Sequence, residues 1–223
     1  MSTRIQSSLT DNRGIATSLM EATLVIAIAA VLSTVAVVSS SDQVTDADVN
    51  NGKSEVKLIG VSILSFMQDT GYAPAFLLGS KIGPNDGITM ILESEGSDPD
   101  DSTGTWPLKD GPSDLLKHHI VENNPGDSKT AYIRVGELDY ARFQGWNGPY
   151  MSKVPAQDPW GDRYLVNIGF ATSQGSAGAN LPARRKPAVF VISAGPNRSI
   201  ETKYLQAADE FIEGGDDLIF RIQ

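Results

Sequence analysis

The chain contains no cysteine. That absence excludes a disulfide framework, a thiolate zinc site and a cysteine nucleophile. Histidine is nearly absent too, with only His118 and His119. Adjacent positions on a helix point about 100° apart, so the pair is a poor shared metal site. Positive charge is also sparse: 18 Lys and Arg stand against 27 Asp and Glu, for a net charge of −9 and a pI near 4.7. Nucleic acid binding calls for clustered Lys and Arg, so it is not expected here. Finally, the chain has no Gly-x-Ser-x-Gly elbow, no Walker loop, no His-Glu-x-x-His and no Gly-x-Gly-x-x-Gly. Without such a constellation no enzyme is expected.

One long apolar run is present. Residues 17–38 carry a single charge, Glu21, near the start. The run is about as long as a helix needs to cross a bilayer core, for which ~20 apolar residues suffice. Arg4 and Arg13 precede it in a polar leader, which places that side in the cytoplasm. An ordinary signal peptide has a shorter apolar core. Neither it nor a plain anchor accounts for a carboxylate at membrane depth, which is costly and points to function.

The stretch Arg13-Gly-Ile-Ala-Thr-Ser-Leu-Met-Glu21-Ala-Thr-Leu-Val-Ile-Ala-Ile resembles the class III signal of type IV pilins and pseudopilins. In that family a basic leader ends in Gly, the next residue becomes the mature N-terminus, and Glu is the fifth mature residue. Two registers compete. Cleavage between Gly14 and Ile15 keeps the family's Gly but makes Glu21 the seventh residue. Cleavage between Ala16 and Thr17 makes Glu21 the fifth, with Ala in place of Gly, and this register is favoured. The resemblance gives Glu21 an assembly role: its carboxylate faces the amino group of a neighbouring subunit in a fibre of packed helices, where low dielectric strengthens the pairing.

Beyond Val38, residues 39–52 hold Ser, Asn and Gly, poor helix formers that predict a melted or kinked stretch. Helical spacing resumes through Val56, Ile59, Ile63, Phe66 and Met67, with Leu58, Val61 and Leu64 widening the stripe. Gly71 suits a helix C-cap. A single helix from Thr17 to about Thr70 would be roughly 80 Å long. Asp69-Thr-Gly-Tyr-Ala-Pro74 is similar to the turn that leaves the long helix in pseudopilins. In residues 75–130, Thr89–Leu92 is a short strand or turn, Ser94–Gly104 an acidic loop that reads as solvated or, as the alternative, as a second cation site through Asp98, Asp100 and Asp101, and Pro112–Val121 a short helix capped by Ser113. Strands are expected at Ala131–Val135, from Tyr164, and at Ala188–Ile192. The basic cluster Arg184-Arg-Lys186 reads as a solvated patch, or as a lateral contact in a fibre.

Residues 146–164, Trp146-Asn-Gly-Pro-Tyr150-Met-Ser-Lys-Val-Pro155-Ala-Gln-Asp158-Pro159-Trp160-Gly161-Asp-Arg-Tyr164, resemble the Trp-x-Gly-Pro-Tyr block of the major pseudopilin of type II secretion. Without the family, the block still reads as scaffold: Asp158-Pro159 restricts the backbone and Gly161 permits a positive φ. The C-terminal pattern, Ser193-Ala-Gly-Pro-Asn197 followed by Glu213-Gly-Gly-Asp216-Asp217, is similar to that family's calcium loop. Carried over by position, Asn197 stands where the family has Asp, Asp216 and Asp217 match its acidic pair, and Ala194 offers a carbonyl. Glu201 adds an oxygen donor. Hard oxygen ligands suit Ca²⁺ better than zinc.

The resemblance therefore implies an α+β fold: a long N-terminal helix, hydrophobic in its first half and amphipathic in its second, packed on a small antiparallel sheet with a C-terminal cation-binding loop. It divides the chain into a leader (1–16), a transmembrane and polymerisation helix (17–41) and a periplasmic globular domain (42–223). It implies a homo-polymer working with minor pseudopilins, an inner-membrane assembly platform and a prepilin peptidase, in the bacterial inner membrane and periplasm. A surface type IV pilin and a membrane-anchored ligand-binding module are the alternatives.

Overall fold

The computed structural model describes residues 45–75, 90–109, 113–124, 131–132, 134–135, 145–172, 179, 181 and 185–223. The chain divides into two units, Met1–Asp46 and Ala47–Gln223, and the hydrophobic core belongs to the second. Ala16, Thr17, Gly14, Ile15, Glu21 and the apolar run lie outside the described residues. Among the described residues no helix is long and apolar enough to cross a membrane.

Helix α1 occupies residues 45–70. Val56, Ile59, Ile63 and Phe66 are buried, as their spacing predicts, while Leu58, Val61 and Leu64 lie on the exposed side. The apolar stripe is thus narrower than expected. The predicted break is not seen over residues 45–52, which are helical. Tertiary contact outweighs propensity here. Gly52 lies beneath Leu218 and Trp160, and Gly60 beneath Phe220, so the missing side chains let the sheet approach the helix axis. Gly71 ends the helix at φ 74°, its N–H bonding the Met67 carbonyl at 2.9 Å.

The main sheet combines β1 (Ile91–Glu93), β3 (Ser113–Leu115), β4 (Leu165–Val166), β5 (Phe190–Ser193) and β7 (Leu218–Arg221), in the order β3-β1-β4-β5-β7. Three of its pairings are antiparallel, but β1 and β3 run parallel. The sheet is therefore mixed, which corrects the expectation of an antiparallel one. A parallel pair needs a long connection, and residues 94–112 supply it. A second, two-stranded ribbon pairs β2 (Asp100–Asp101) with β6 (Ser199–Ile200) in parallel. Short helix α2 (Leu116–Ile120) follows β3 directly, so Ser113 belongs to a strand and caps nothing. Residues 131–135 contribute only an isolated bridge, Arg134 with Trp146, and no strand among the described residues. Both faces of the sheet are buried: Leu92, Val166 and Val191 share the α1 side with Phe220, while Leu165, Phe190 and Ile192 lie on the other, where Trp106 and Phe211 pack on Phe190. Full burial of one such side chain contributes about 1.5–3 kcal/mol.

Candidate functional site

Register places the C-terminal loops together. In the β5–β7 pair Ser193 lies opposite Leu218, so the segment leaving β5 and the segment entering β7 emerge at the same end of the sheet. The first contains Ala194, Gly195 and Asn197, and the second Gly214, Gly215, Asp216 and Asp217. Glu201 follows β6 on the same side. The structure thus gathers Ala194, Asn197, Glu201, Asp216 and Asp217 in one loop pair.

Close backbone packing there depends on glycine. Gly195 has φ 70°, and a Cβ on it would lie 2.3 Å from the Asp216 carbonyl oxygen. The Glu201 carboxylate sits directly over Gly215, where a Cβ would fall 1.2 Å from its Oε2. Larger residues at either position would push the two segments apart.

Asp217 is 8% exposed. Its Oδ2 accepts the backbone N–H groups of Glu201 (3.0 Å) and Thr202 (2.7 Å), while its Oδ1 is buried with no partner. Asp216 repeats the pattern: Oδ2 accepts the Asn197 N–H at 3.2 Å, and Oδ1 is buried and unpartnered. An uncompensated buried oxygen of this kind is costly. Burial pushes the Asp217 carboxyl above its ordinary range, opposed by the Thr202 and Glu201 bonds. Among the described residues no salt bridge reaches Glu201, Asp216 or Asp217. Arg198, their cationic neighbour in sequence, is held bidentately by buried Asp162, at 2.7 and 2.9 Å.

Asn197 is engaged on both sides of its amide. Oδ1 accepts the Ser199 N–H at 2.7 Å, and Nδ2 donates to Glu201 Oε2 at 3.1 Å. Its side chain therefore orients Glu201. Among the described residues, no group of three or more His, Asp or Glu side chains is arranged to hold a metal ion. The fit to a hard cation rests on the two orphaned carboxylate oxygens, the excess of negative charge and the all-oxygen donor set.

Comparison with known proteins adds no constraint on this site. No family model, curated protein or solved structure matches the chain.

Sequence reasoning missed several supports of the loop pair. Thr202 is buried, and its Oγ1 accepts the Gly214 N–H at 2.8 Å. Asp158 is buried in the tryptophan-rich block, where Oδ1 accepts the N–H groups of Trp160 and Asp162 and Oδ2 accepts the Ser193 hydroxyl at 2.6 Å. The acidic stretch 94–104 is largely exposed, as expected, but carboxylates within it are engaged. Asp101 accepts from the N–H groups of Thr103, Gly104 and Trp106, and Asp98 pairs with Arg163 at 3.2 Å. Of the basic cluster, Arg185 is paired within the chain to Asp209 and Glu210. The histidines converge unexpectedly: Asp114 Oδ1 meets His118 Nδ1 at 2.9 Å, and Oδ2 meets His119 Nε2 at 3.1 Å. One carboxylate spans two rings that point apart because it offers an oxygen to each.

Proposed function

We infer that this chain is a structural subunit of a pilus-like fibre, most similar to the major pseudopilin of type II secretion. The observation that carries the reading is Glu21, a lone carboxylate inside an apolar run behind a basic leader. The tryptophan-rich block and the C-terminal acidic pair lie in the order that family implies, and an amphipathic helix packed on a sheet is compatible with it. The subunit waits in the membrane after insertion, is cut by a prepilin peptidase, and polymerises through its N-terminal helix. Its work in export is mechanical, and it performs no catalysis.

Ca²⁺ is the proposed ligand of the C-terminal loops. Asp216 and Asp217 offer their orphaned oxygens, Glu201 a third carboxylate, and Ala194 a carbonyl. Asn197 aims Glu201 and removes one charge relative to the family pattern. When bound, the cation supplies the positive charge these carboxylates lack. The residues themselves join the end of β5 to the start of β7.

Overexpression of the full chain followed by electron microscopy tests the fibre reading. Fibres are expected from the wild type and not from Glu21→Ala, which still inserts in the membrane. Normal fibre yield from Glu21→Ala would refute it. A membrane-anchored module that never polymerises predicts no fibres from either.

A further inference from the structure

The loop at residues 97–106 is attached to the rest of the domain along two separate seams. On one side it joins the tryptophan-rich block: the Ser97 N–H bonds the Gly161 carbonyl at 3.1 Å, and the Arg163 N–H bonds the Ser97 carbonyl at 2.9 Å. On the other side it lies on residues 198–204. The Asp100 N–H bonds the Arg198 carbonyl at 3.0 Å. Ser102 donates both its N–H (3.1 Å) and its hydroxyl (2.7 Å) to the Ile200 carbonyl. The Trp106 indole N–H bonds the Thr202 carbonyl at 2.9 Å, and the Tyr204 N–H bonds Thr105 Oγ1 at 3.0 Å.

That second seam rests on the Asp217 carboxylate. Its Oδ2 holds the N–H groups of Glu201 and Thr202, the residues whose backbone continues into the Ile200 and Thr202 carbonyls. Its Oδ1 is buried without a partner, in a residue more than nine-tenths buried. The support of the loop is therefore a carboxylate that is only half satisfied. Most of the loop is exposed, with Pro99 and Trp106 as its buried anchors. A segment with few buried contacts is among the first to open.

We propose that divalent-cation binding at the Glu201, Asp216 and Asp217 oxygens closes the β2–β6 seam, so that the 97–106 loop is a cation-dependent surface of the domain. The inference rests on the calcium reading of the C-terminal loops. A cation on Oδ1 relieves the unpaired charge of Asp217 and fixes the rotamer whose Oδ2 holds the 201–202 backbone. Closed, that backbone presents two carbonyls in register with Ser102 and Trp106. Open, the loop keeps its Ser97 bonds and the Asp98–Arg163 pair. Coupling requires two arrangements of the element, with the cation favouring the closed one. Such coupling is reciprocal: contacts of the loop must raise cation affinity by the same factor.

Hydrogen exchange on the full chain in detergent micelles, in CaCl₂ against EDTA, tests this, with calorimetric titration of CaCl₂ into the same sample. Calcium is expected to slow exchange of the Asp100 and Ser102 amides about tenfold or more, while the Ser97 and Arg163 amides on the other seam stay unchanged. Trp106→Phe, which removes the bond to Thr202 and touches none of the carboxylates, is expected to weaken calcium binding severalfold. Calcium heat with unchanged exchange at Asp100 and Ser102 overturns the coupling and leaves the calcium reading standing. Unchanged affinity in Trp106→Phe overturns it as well. Absence of calcium heat removes the calcium reading, and the inference with it.

Discussion

Gly60 of α1 lies against the ring of Phe220 in β7: a Cβ at Gly60 would sit 2.0 Å from the Phe220 Cδ1. In an isolated helix, replacing Gly by Ala gains about 1 kcal/mol. Here the ring and the strand behind it must move, and overpacking of this kind costs about 1–3 kcal/mol. The steric term wins. Gly60→Ala is expected to lower stability, and Gly60→Val to lower it further. Denaturant unfolding measures both; a Gly60→Ala protein more stable than the wild type would show that helix and sheet are not in contact there.

The exposed and buried sides of α1 separate in the same assay. Ile59→Ala removes a fully buried side chain and is expected to cost about 2–5 kcal/mol. Leu58→Ser and Val61→Ser, on the outer side, are expected to change stability by no more than about 0.5 kcal/mol. Comparable losses at Leu58 and Ile59 would place Leu58 in a core.

Asp158 ties the tryptophan-rich turn to β5. It accepts three hydrogen bonds, from Trp160, Asp162 and Ser193. Asp158→Ala removes a hub of charge-assisted bonds, each worth about 1.5–3 kcal/mol, and is expected to destabilise by about 2–4 kcal/mol. Ser193→Ala deletes one bond and is expected to cost about 1–2 kcal/mol. Additive losses in the double variant would show that Ser193 and Asp158 do not interact.

Calcium should stabilise the fold. At a concentration 100 times its dissociation constant, a ligand specific for the folded state contributes about 2.7 kcal/mol. For a domain of this size that is roughly 5–10 °C in melting temperature. Asp216→Asn and Asp217→Asn are expected to lose most of the shift, and Glu201→Gln part of it. No shift of the wild-type protein at millimolar calcium defeats the calcium reading.

The same site predicts a pH dependence. Asp217 has its folded value raised above the ordinary 3.8 by burial. Below 3.8 the carboxyl is protonated in both states and costs nothing. As pH rises past 3.8 the unfolded chain releases its proton first, so the folded state loses stability until its own raised value is passed. In EDTA, the wild type is therefore expected to fall in stability relative to Asp217→Asn over the window just above 3.8. Calcium should remove that fall, because it favours the ionised form. Parallel slopes for the two proteins in EDTA would contradict the burial of Asp217.

Much of α1 was legible because burial follows helical period, and Val56, Ile59, Ile63 and Phe66 carry it. Gly52 reads as a poor helix former because propensity is local, whereas its role, like that of Gly60, depends on Leu218 and Phe220 more than 150 residues away. The parallel β1–β3 pair was illegible for the same reason: alternation along a strand says nothing of its neighbour's direction. At the candidate site, the resemblance brought Asn197, Asp216 and Asp217 together, and residue type and loop position added Glu201. Their division of labour was hidden, since Asn197 has both amide atoms engaged and Asp217 has one oxygen engaged and one free. The Asp114 bridge between His118 and His119 had no sequence signal, because it depends on a strand running straight into a helix.

The pairing of residues 97–106 with residues 198–204 also fixes an order of events. Ser102 and Ile200, or Thr105 and Tyr204, are about a hundred residues apart in the chain, and such distant closures make folding slow. A chain emerging from its N-terminus has α1, β1 and the acidic loop in place long before their partners exist. The loop waits for nearly the whole of the remaining polypeptide, and so does the face of α1 that Phe220 covers. Throughout that interval the Val56–Phe66 stripe and the edge of β1 stay uncovered, which gives a nascent chain a stage at which a chaperone or a second copy can reach them.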